Sequence, residues 1–598
     1  MKKLRIATIF ISMLFVVSIY AQDTVTVDPG YGTLTTAIEE SAADNVLELQ
    51  AGQWYGLDQI IEISETNSGD KFTLVGEQVE GTMPPIVQVG TAEDGTVFGN
   101  MFSILTNATF KNIFFANQNV DGRKGGTVFS MGADEIRLRV DNCVIDPVGQ
   151  SSLVYYTNTE DADIYVTNNK AYRLGTEDDT DGGIMFNERS GGLGVDTLWI
   201  QNNTFMNGHM AFQATDHGTT MDNFVFIDHN TFIQHHSQLD WNWDFNEKYY
   251  TNNLFFNFNT QPWNKPWGQD VAEGDIYHAL VRADTLPSDA EGMYAEEDRV
   301  LFVQYNLQTK TQGIQDVVAW GEENDKPEVY QQPLIWSPDG DAGVTYSHVE
   351  APWDSNRVSA MLGLSDAEGY PNFKYGNTLV NVDPEWNESR IYNLQDSMAT
   401  WTLPMTRWHV WNEIELPDVP SIHWKIDTWN DVPPEEYPQT WPRMDASYSN
   451  SEVMTASIGG YPLGDLNSFP EEKEAWEQEK DAIFDHITSL NTDQMVAIGD
   501  EVSIPESFDL VGNYPNPFNP STHIEYQLSH SSEVNLTVYD VLGREVKTLV
   551  DNSMQTAGTH VVEWNGVDVN GQQVAAGIYF VRLNVQDNVK THKMLMIK

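Results

Sequence analysis

Between about Phe110 and Phe258 the chain repeats one pattern, in which two short runs of alternating apolar and polar residues flank a polar corner. The corners contain these asparagines: Asn112, Asn142, Asn169, Asn203, Asn230 and Asn253. Successive corners lie 30, 27, 34, 27 and 23 residues apart. Alternation with period two predicts strands, and the units leave no room for a helix of ~10 residues.

A repeat of ~20–50 residues predicts a solenoid, because one unit cannot bury its apolar face without a neighbour stacked on it. Units made only of short strands, stacked in parallel, predict a β-helix. A propeller is the alternative, but each blade needs four strands in ~40–50 residues, more than these units hold. Asparagine suits the corner because it tolerates the left-handed backbone region and its amide can bond to the neighbouring coil.

The segment before the first corner predicts a short amphipathic helix at Leu34–Ala43, which would cap the open end of the stack. Its order of features is Leu-x-x-Ala-Ile from Leu34, an apolar strand, Ala-Gly-x-Trp-Tyr from Ala51 and Leu-Val-Gly from Leu74. This order resembles the start of pectin-lyase-like right-handed β-helix proteins. The resemblance covers roughly residues 22–260 and implies the fold; many such proteins cleave polysaccharides, and others bind them or are adhesins.

From residue 261 to 491 the pattern loosens, and tryptophan, proline and aspartate become frequent. Val300–Tyr305 and Tyr375–Asp383 still have the pattern of coil strands, so we expect further coils with long flanking loops. Glu471–Leu490 has the periodicity of an amphipathic helix, with Pro470 at its first turn. Residues 492–504 are predicted to be a linker.

Residues 505–598 contain short strands broken by turn residues every ~8–12 positions, which predicts a small antiparallel sandwich. The segment Asn513–Thr522 reads NYPNPFNPST, and Ala576–Arg582 reads AGIYFVR. These phrases resemble the type A C-terminal sorting domain of the type IX secretion system, in the immunoglobulin-like group of the flagellar hook cap. The resemblance implies passage through a Bacteroidetes-type outer membrane by that machinery, then release or attachment to the cell surface. The predicted fold class is therefore all-β: a right-handed parallel β-helix followed by an immunoglobulin-like sandwich.

The net charge and the N-terminal segment limit the functions and locations expected for this chain. The chain has 88 acidic and 32 Lys or Arg residues, a net charge of −56, which disfavours binding to nucleic acid or anionic lipid. Residues 1–21 are predicted to be a signal peptide, with a basic start and an apolar run at Ile6–Ile19 too short to span a bilayer. We therefore expect an exported chain, with no membrane span once the signal is removed, at the cell surface or outside the cell.

Three groups of residues could carry chemistry. In β-helix lyases, as the resemblance implies, a basic residue abstracts a proton while Ca²⁺ or arginine neutralises the substrate carboxylate. The nearest match has Arg189 as the base and, as Ca²⁺ ligands, Asp178, Asp179, Asp181 and Glu188. Solvated acidic turns with one structural ion pair are the alternative, and the basic motifs of pectate and alginate lyases are missing.

The second group is rich in histidine: His209, His217, Asp228 with His229, His235 and His236. Residues one repeat apart share a face of a solenoid, so His217 and His235 could act together as acid and base or bind a metal. Structural polar residues are the alternative, since no tight metal spacing occurs and Asp228–His229 falls in the asparagine corner.

The third group consists of Trp241, Trp243, Trp263 and Trp267, whose aromatic faces could stack on sugar rings. Core packing of these side chains is the alternative. Together these patterns predict a secreted β-helix protein that binds or degrades extracellular polysaccharide, either as a lyase or hydrolase or as a non-catalytic adhesin or structural protein.

Overall fold

The chain divides into two compact units, Met1–Asn491 and Thr492–Lys598. The computed structural model describes residues 23–41, 45–69, 71–119, 121–149, 151–156, 159–173, 184–188, 194–208, 210–214, 221–235, 240–241, 245–258, 281–282, 298–324, 335–336, 372–388, 391, 445–489, 509–514, 518, 520–528, 532–541, 544–555, 558–569, 573–585 and 588–596.

The first unit is a parallel β-helix whose described strands form three long sheets, which confirms the predicted fold class. Sheet A contains β1 (Thr24–Val27), β3 (Val46–Leu49), β6 (Lys71–Gly76), β9 (Asn107–Lys111), β12 (Arg137–Asp141), β15 (Asp163–Thr167), β18 (Thr197–Gln201), β21 (Asp222–Asp228), β24 (Phe245–Thr251), β27 (Val300–Gln304) and β30 (Phe373–Gly376). Sheet B contains β2 (Gly30–Tyr31), β4 (Trp54–Gly56), β7 (Ile86–Gln88), β10 (Phe114–Ala116), β13 (Val144–Ile145), β16 (Lys170–Tyr172), β19 (Thr204–Gly208), β22 (Thr231–His235), β25 (Leu254–Phe258), β28 (Leu307–Thr309) and β31 (Leu379–Val380). Sheet C contains β5 (Ile61–Ile63), β8 (Asn100–Ile104), β11 (Thr127–Met131), β14 (Ser152–Tyr155), β17 (Ile184–Glu188), β20 (Met210–Ala214) and β23 (Asp240–Trp241).

The core is built from identical positions stacked one coil above another, because each strand pairs in parallel with the strand one repeat later. Val140, for example, pairs with Phe110 on one side and with Val166 on the other, and all three are buried. Rings stack in the same way: Phe232 lies 5.2 Å from both Phe205 and Phe255. Columns of this kind let the interior pack closely, since every rung repeats at the strand spacing of ~4.8 Å.

From β9 onward, the described corners between sheets A and B are built on two adjacent residues. The first has a left-handed backbone, with φ between 50° and 61°, at Asn112, Asn142, Asn168, Asn202, His229, Asn252, Tyr305 and Asn377. At the five corners from Asn168 to Tyr305 the second residue is a buried asparagine, and these asparagines form a ladder: Asn169, Asn203, Asn230, Asn253 and Asn306. In each rung the backbone N–H donates to Oδ1 of the next asparagine, over 2.9 to 3.1 Å.

The predicted step of 27 residues from Asn142 to Asn169 is one residue too long. The N–H of Cys143 donates to Oδ1 of Asn169 over 2.8 Å, and Val144 pairs with Lys170. Asn142 therefore corresponds to Asn168, and Cys143 takes the ladder position. The pattern merged the two positions because asparagine is frequent at both.

Helices cover parts of the solenoid. The described helices are α1 (Thr33–Glu40), α2 (Glu65–Ser68), α3 (Gln312–Glu323) and α4 (Pro470–Ser489), with short 3-10 turns at Val453–Thr455 and Leu466–Ser468. Helix α4 packs Phe484 and Ile487 on an outer aromatic column of sheet A, where the ring of Phe484 lies 5.1 Å from Trp199. In the middle region β27, β28, β30 and β31 add coils to sheets A and B, and β26 (Val281–Arg282) pairs with β29 (Ile335–Trp336).

The second unit is an antiparallel β-sandwich. Its described strands form one sheet of β32 (Asp509–Tyr514), β33 (Thr522–Leu528) and β36 (Gly558–Trp564), and one of β35 (Glu545–Gln555), β34 (Ser532–Asp540), β37 (Gly577–Val585) and β38 (Asn588–Met596). Its core includes Trp564, Tyr526 and Val581, which are nearly inaccessible to solvent. The short strands predicted for residues 505–598 therefore form two packed antiparallel sheets.

Candidate functional site

An open groove of about 440 Å³ runs along the corners between sheets A and B, and we call it the amide groove. Its lining residues are Glu77, Gln78, Val79, Glu80, Gly81, Thr82, Pro84, Asn112, Asn142, Cys143, Val144, Asn168, Lys170, Tyr172 and Asn467. Residues 77–84 form one wall, and Asn467, which follows the coils in sequence by some three hundred positions, closes one end. This volume lies within the range of ~300–1,000 Å³ that is usual for small-ligand sites.

The floor of the amide groove is a row of side-chain amides spaced one coil apart. Gln78 Nε2 and Asn142 Nδ2 both donate to Oδ1 of Asn112, over 3.0 and 2.8 Å. At Asn112 and Asn142 the left-handed corner sets this row, because the two coils present the amide at the same point of their turns. Asn142 is exposed, so its amide can also bond with a ligand.

The far end of the groove is held by a charged network. Asn168 donates to Oδ1 of Asp141 over 2.7 Å, and Lys473 of α4 donates to Oδ1 of Asn168 over 2.8 Å. Burial raises the pKa of Asp141, but the hydrogen bond from Asn168 and the charge of Lys111 outweigh it, so its pKa lies below the usual value. Asp141 thus stays ionised and fixes the orientation of the corner amide.

Cys143 lies in the groove floor but is 1% exposed, and burial raises the pKa of its thiol to about 12. A thiol with that pKa is not a nucleophile near neutral pH. The amides supply both donors and acceptors, Lys170 supplies a cation, and Val79 supplies exposed apolar surface. This combination suits a ligand covered with hydroxyl groups, because each hydroxyl both donates and accepts.

The predicted calcium and tryptophan residues that can be placed lie on sheet C. Glu188 ends β17 and Trp241 ends β23. Through β20 their strands are two rungs apart, because Gln213 pairs with Asn187 on one side and with Trp241 on the other. The remaining residues of these two groups lie outside the described residues: Asp178, Asp179, Asp181, Arg189, Trp243, Trp263 and Trp267. Their roles stay predictions.

Of the predicted histidines, His235 lies at the end of β22 and is fully buried. Its ring stacks on Phe258 with centroids 4.9 Å apart, and its Nε2 lies 3.3 Å from the carbonyl oxygen of Phe205. The ring fits because its rung partner is Gly208, where a Cβ atom would lie 2.5 Å from the imidazole. His235 is therefore placed among aromatic side chains, while His217 lies outside the described residues, and catalysis by either stays a prediction.

The Asp228–His229 pair occupies a corner, as its position in the repeat indicates. His229 has a left-handed backbone, and its Nδ1 lies 2.8 Å from Oδ2 of Asp228. Gln201, Thr251 and Asn252 also donate to this carboxylate. The pair is fully buried and ties neighbouring coils together. Within the described ranges no group of three or more His, Cys, Asp or Glu residues is arranged to hold a metal ion.

The amide groove was not predicted from the sequence. Its corner asparagines were identified only as structural residues, and residues 77–84 have no repeat signal. The contact of α4 and Asn467 with these coils joins segments about three hundred residues apart, which no local pattern encodes. The one signal was the run of corner asparagines, of which Asn142 is exposed and Asn112 is half-buried.

Comparisons with known proteins identify one part of the chain. Residues 519–588 match the FlgD Ig-like domain family, which describes the C-terminal sandwich. The comparison with curated proteins found no match. One similar solved structure is PorZ, an essential bacterial surface component of the type-IX secretion system of Porphyromonas gingivalis, at 22% identity, with 14% of this chain and 11% of that chain covered and a TM-score of 0.12.

A second similar structure is the PL6 family alginate lyase AlyGC, at 15% identity, with 56% of this chain and 40% of that chain covered and a TM-score of 0.30. This chain thus spans less than half the length of either structure. At this level of similarity neither assigns an activity. Among the described helices, none is long and apolar enough to cross a membrane.

Proposed function

We propose that this chain is a surface-delivered β-helix protein that binds an extracellular polysaccharide in the amide groove. The observation that supports this most is the row of side-chain amides that lines the groove at successive coils, in which Gln78 and Asn142 are exposed and Asn112 is half-buried between them. A polymer with hydroxyl groups at regular intervals can make the same contact at successive rungs of ~4.8 Å.

Charge supports a glycan as the ligand class. A chain with a net charge of −56 repels polyanions such as nucleic acid wherever its surface is acidic, whereas a glycan can also bind through hydrogen bonds and apolar faces. Both are present in the groove, in the amides and in Val79, Pro84 and Tyr172.

The proposal that the chain is delivered to the cell surface rests on its C-terminal domain. Residues 519–588 match an Ig-like family, and the phrases at Asn513–Thr522 and Ala576–Arg582 resemble a type IX sorting domain. We propose that this domain directs the chain through the outer membrane and that residues 1–21 direct it out of the cytoplasm.

The test is binding of the full chain to an array of plant, algal and bacterial glycans, followed by calorimetry with the best oligosaccharide. The double variant Asn112→Gly with Asn142→Gly removes two amides while glycine keeps the left-handed backbone. We expect it to weaken binding by ~1–3 kcal/mol, because two ligand hydrogen bonds are lost.

The matched control is Asn377→Gly, an exposed corner asparagine with φ of 50° that lies outside the groove lining. It should bind like the wild type. Equal affinity of the double variant and this control would reject the groove as the binding site. Release of unsaturated or reducing ends during the same incubation would identify a lyase or a hydrolase, and a stable complex without products would identify a binding protein.

A further inference from the structure

A second concavity of about 650 Å³ lies on the outer face of sheet A. Its lining residues are Lys71, Asn107, Ala108, Thr109, Glu135, Arg137, Arg139 and Asp163. We call it the arginine trough. Three cationic and two anionic side chains line it, in a chain whose net charge is −56.

The shape of the trough follows from the strand register. Thr73, Thr109, Arg139 and Tyr165 occupy one column across β6, β9, β12 and β15. Because threonine side chains are short, the trough is deep over the rungs of Thr73 and Thr109. The longer side chain of Arg139 bounds it at the next rung. Beyond Tyr165 the column is covered by α4, through Trp199 and Phe484.

The two arginines differ in their partners. Arg137 donates to Oδ2 of Asp163 from Nε over 3.0 Å and from Nη2 over 2.5 Å, so its charge is neutralised. The guanidinium of Arg139 lies 4.6 Å from the ring centroid of Tyr165 and makes no hydrogen bond or ion pair within the part of the chain that the structure describes. Arg139 is half-buried, and this burial, together with the nearby Arg137, lowers its pKa.

A half-buried, stacked guanidinium is held in place and still has its donors available. Such a fork matches the two oxygens of a carboxylate or of a sulfate ester, and the pairing is stronger than neutral hydrogen bonds. Tyr165 restricts the arginine from one side, so little side-chain entropy is lost when an anion arrives. The open volume next to Arg139 leaves room for the rest of a sugar unit.

The geometry points to a second glycan subsite in which Arg139 binds one oxyanion, a carboxylate or a sulfate ester, of a polysaccharide. This inference rests on the proposed function and adds to it the substrate class: a glycan with acidic groups, whose charge is accepted here without a bridging cation. Lys71 would contribute a second positive charge at the open end of the trough.

The test is calorimetry of the full chain, in EDTA and at low salt, with three oligosaccharides of equal length: a galacturonan, a sulfated galactan and an uncharged galactan. We expect one acidic probe to bind more tightly than the uncharged one, and the choice between the two acidic probes identifies the oxyanion. Affinity for that probe should fall as salt is added, because a partly exposed charge contact is screened.

Arg139→Gln should weaken binding of the acidic probe by ~10–100-fold, the effect of losing one hydrogen-bonded charged partner. Arg139→Lys should restore only part of it, because lysine lacks the planar fork. The matched control is Arg123→Gln, which removes the same charge from an exposed loop, where Arg123 donates to the carbonyl oxygen of Gly95 over 2.9 Å. Circular dichroism of each variant checks folding.

Equal binding of the acidic probe by Arg139→Gln and Arg123→Gln would overturn the inference, as would no preference for either acidic probe. If the glycan still binds in those cases and the Asn112→Gly, Asn142→Gly variant loses it, the proposed function stands and only the second subsite fails. No binding of any glycan would overturn both.

Discussion

The asparagine ladder makes Asn203 the most informative single position for stability. Its Oδ1 accepts the backbone N–H of Asn169 over 2.9 Å, and its Nδ2 donates to the carbonyl oxygen of Val166 over 2.9 Å and to Oδ1 of Asn230 over 2.9 Å. The side chain is 0% exposed, so water cannot replace these partners. Asn203→Leu keeps the volume and removes every one of these bonds.

The loss of unfolding free energy can be estimated from the backbone groups that Asn203→Leu leaves without a hydrogen-bond partner. The N–H of Asn169 and the carbonyl of Val166 each lose a partner in a buried site, at ~1–3 kcal/mol per group, so the variant should lose ~2–6 kcal/mol of unfolding free energy. Asn246→Leu is the control, because Asn246 is half-buried and its Nδ2 donates a hydrogen bond to Oδ1 of Asn223 over 3.1 Å. Urea unfolding followed by circular dichroism measures both. Equal midpoints for the two variants would refute the claim that the ladder stabilises the coils.

Three further predictions concern charge and export. Asp146→Ala should cost ~3–5 kcal/mol in urea unfolding, because it leaves the buried guanidinium of Arg173 without the carboxylate 2.6 Å away; a loss under 1 kcal/mol would contradict it. Burial lowers the pKa of Lys310 from 10.5 to about 8, so between these pH values the unfolded chain binds more protons than the folded chain. The free energy of unfolding should therefore rise with pH through this window, and Lys310→Met should remove that rise. The same pH dependence of stability in Lys310→Met and the wild type would refute this prediction. Deleting residues 505–598 should leave the folded β-helix in the periplasm, where protease added to intact cells cannot cleave it. Cleavage of the truncated chain by that protease would show that it still reaches the surface and would contradict this prediction.

The repeat could be predicted because its cause is local. Alternation of apolar residues and the recurrence of asparagine follow from one coil's own needs, a buried face and a left-handed turn. The same reasoning merged Asn142 with Asn169, because a left-handed corner and a ladder position both favour asparagine and only the hydrogen bonds separate them. Helix α4 was predicted within one residue at each end, since its apolar face is also a local pattern.

The sites were less accessible to prediction because they depend on the three-dimensional arrangement of distant segments. Arg139 has an ordinary position in an alternating strand, and only the strand register shows that it stacks on Tyr165 beside two short threonines. His235 looked like a candidate acid or base, but its place opposite Gly208 puts it among aromatic rings. Sequence shows which residues can do chemistry, and the register decides which of them meet.

The most direct test of the central claim, that the amide groove binds a glycan, is hydrogen–deuterium exchange of the full chain with and without the oligosaccharide selected on the array. Binding in the amide groove should slow exchange in residues 77–84 and at the corners of Asn112 and Asn142, with no change at the corner of Asn377. Protection confined to sheet C, or the same exchange with and without a saturating ligand, would contradict it.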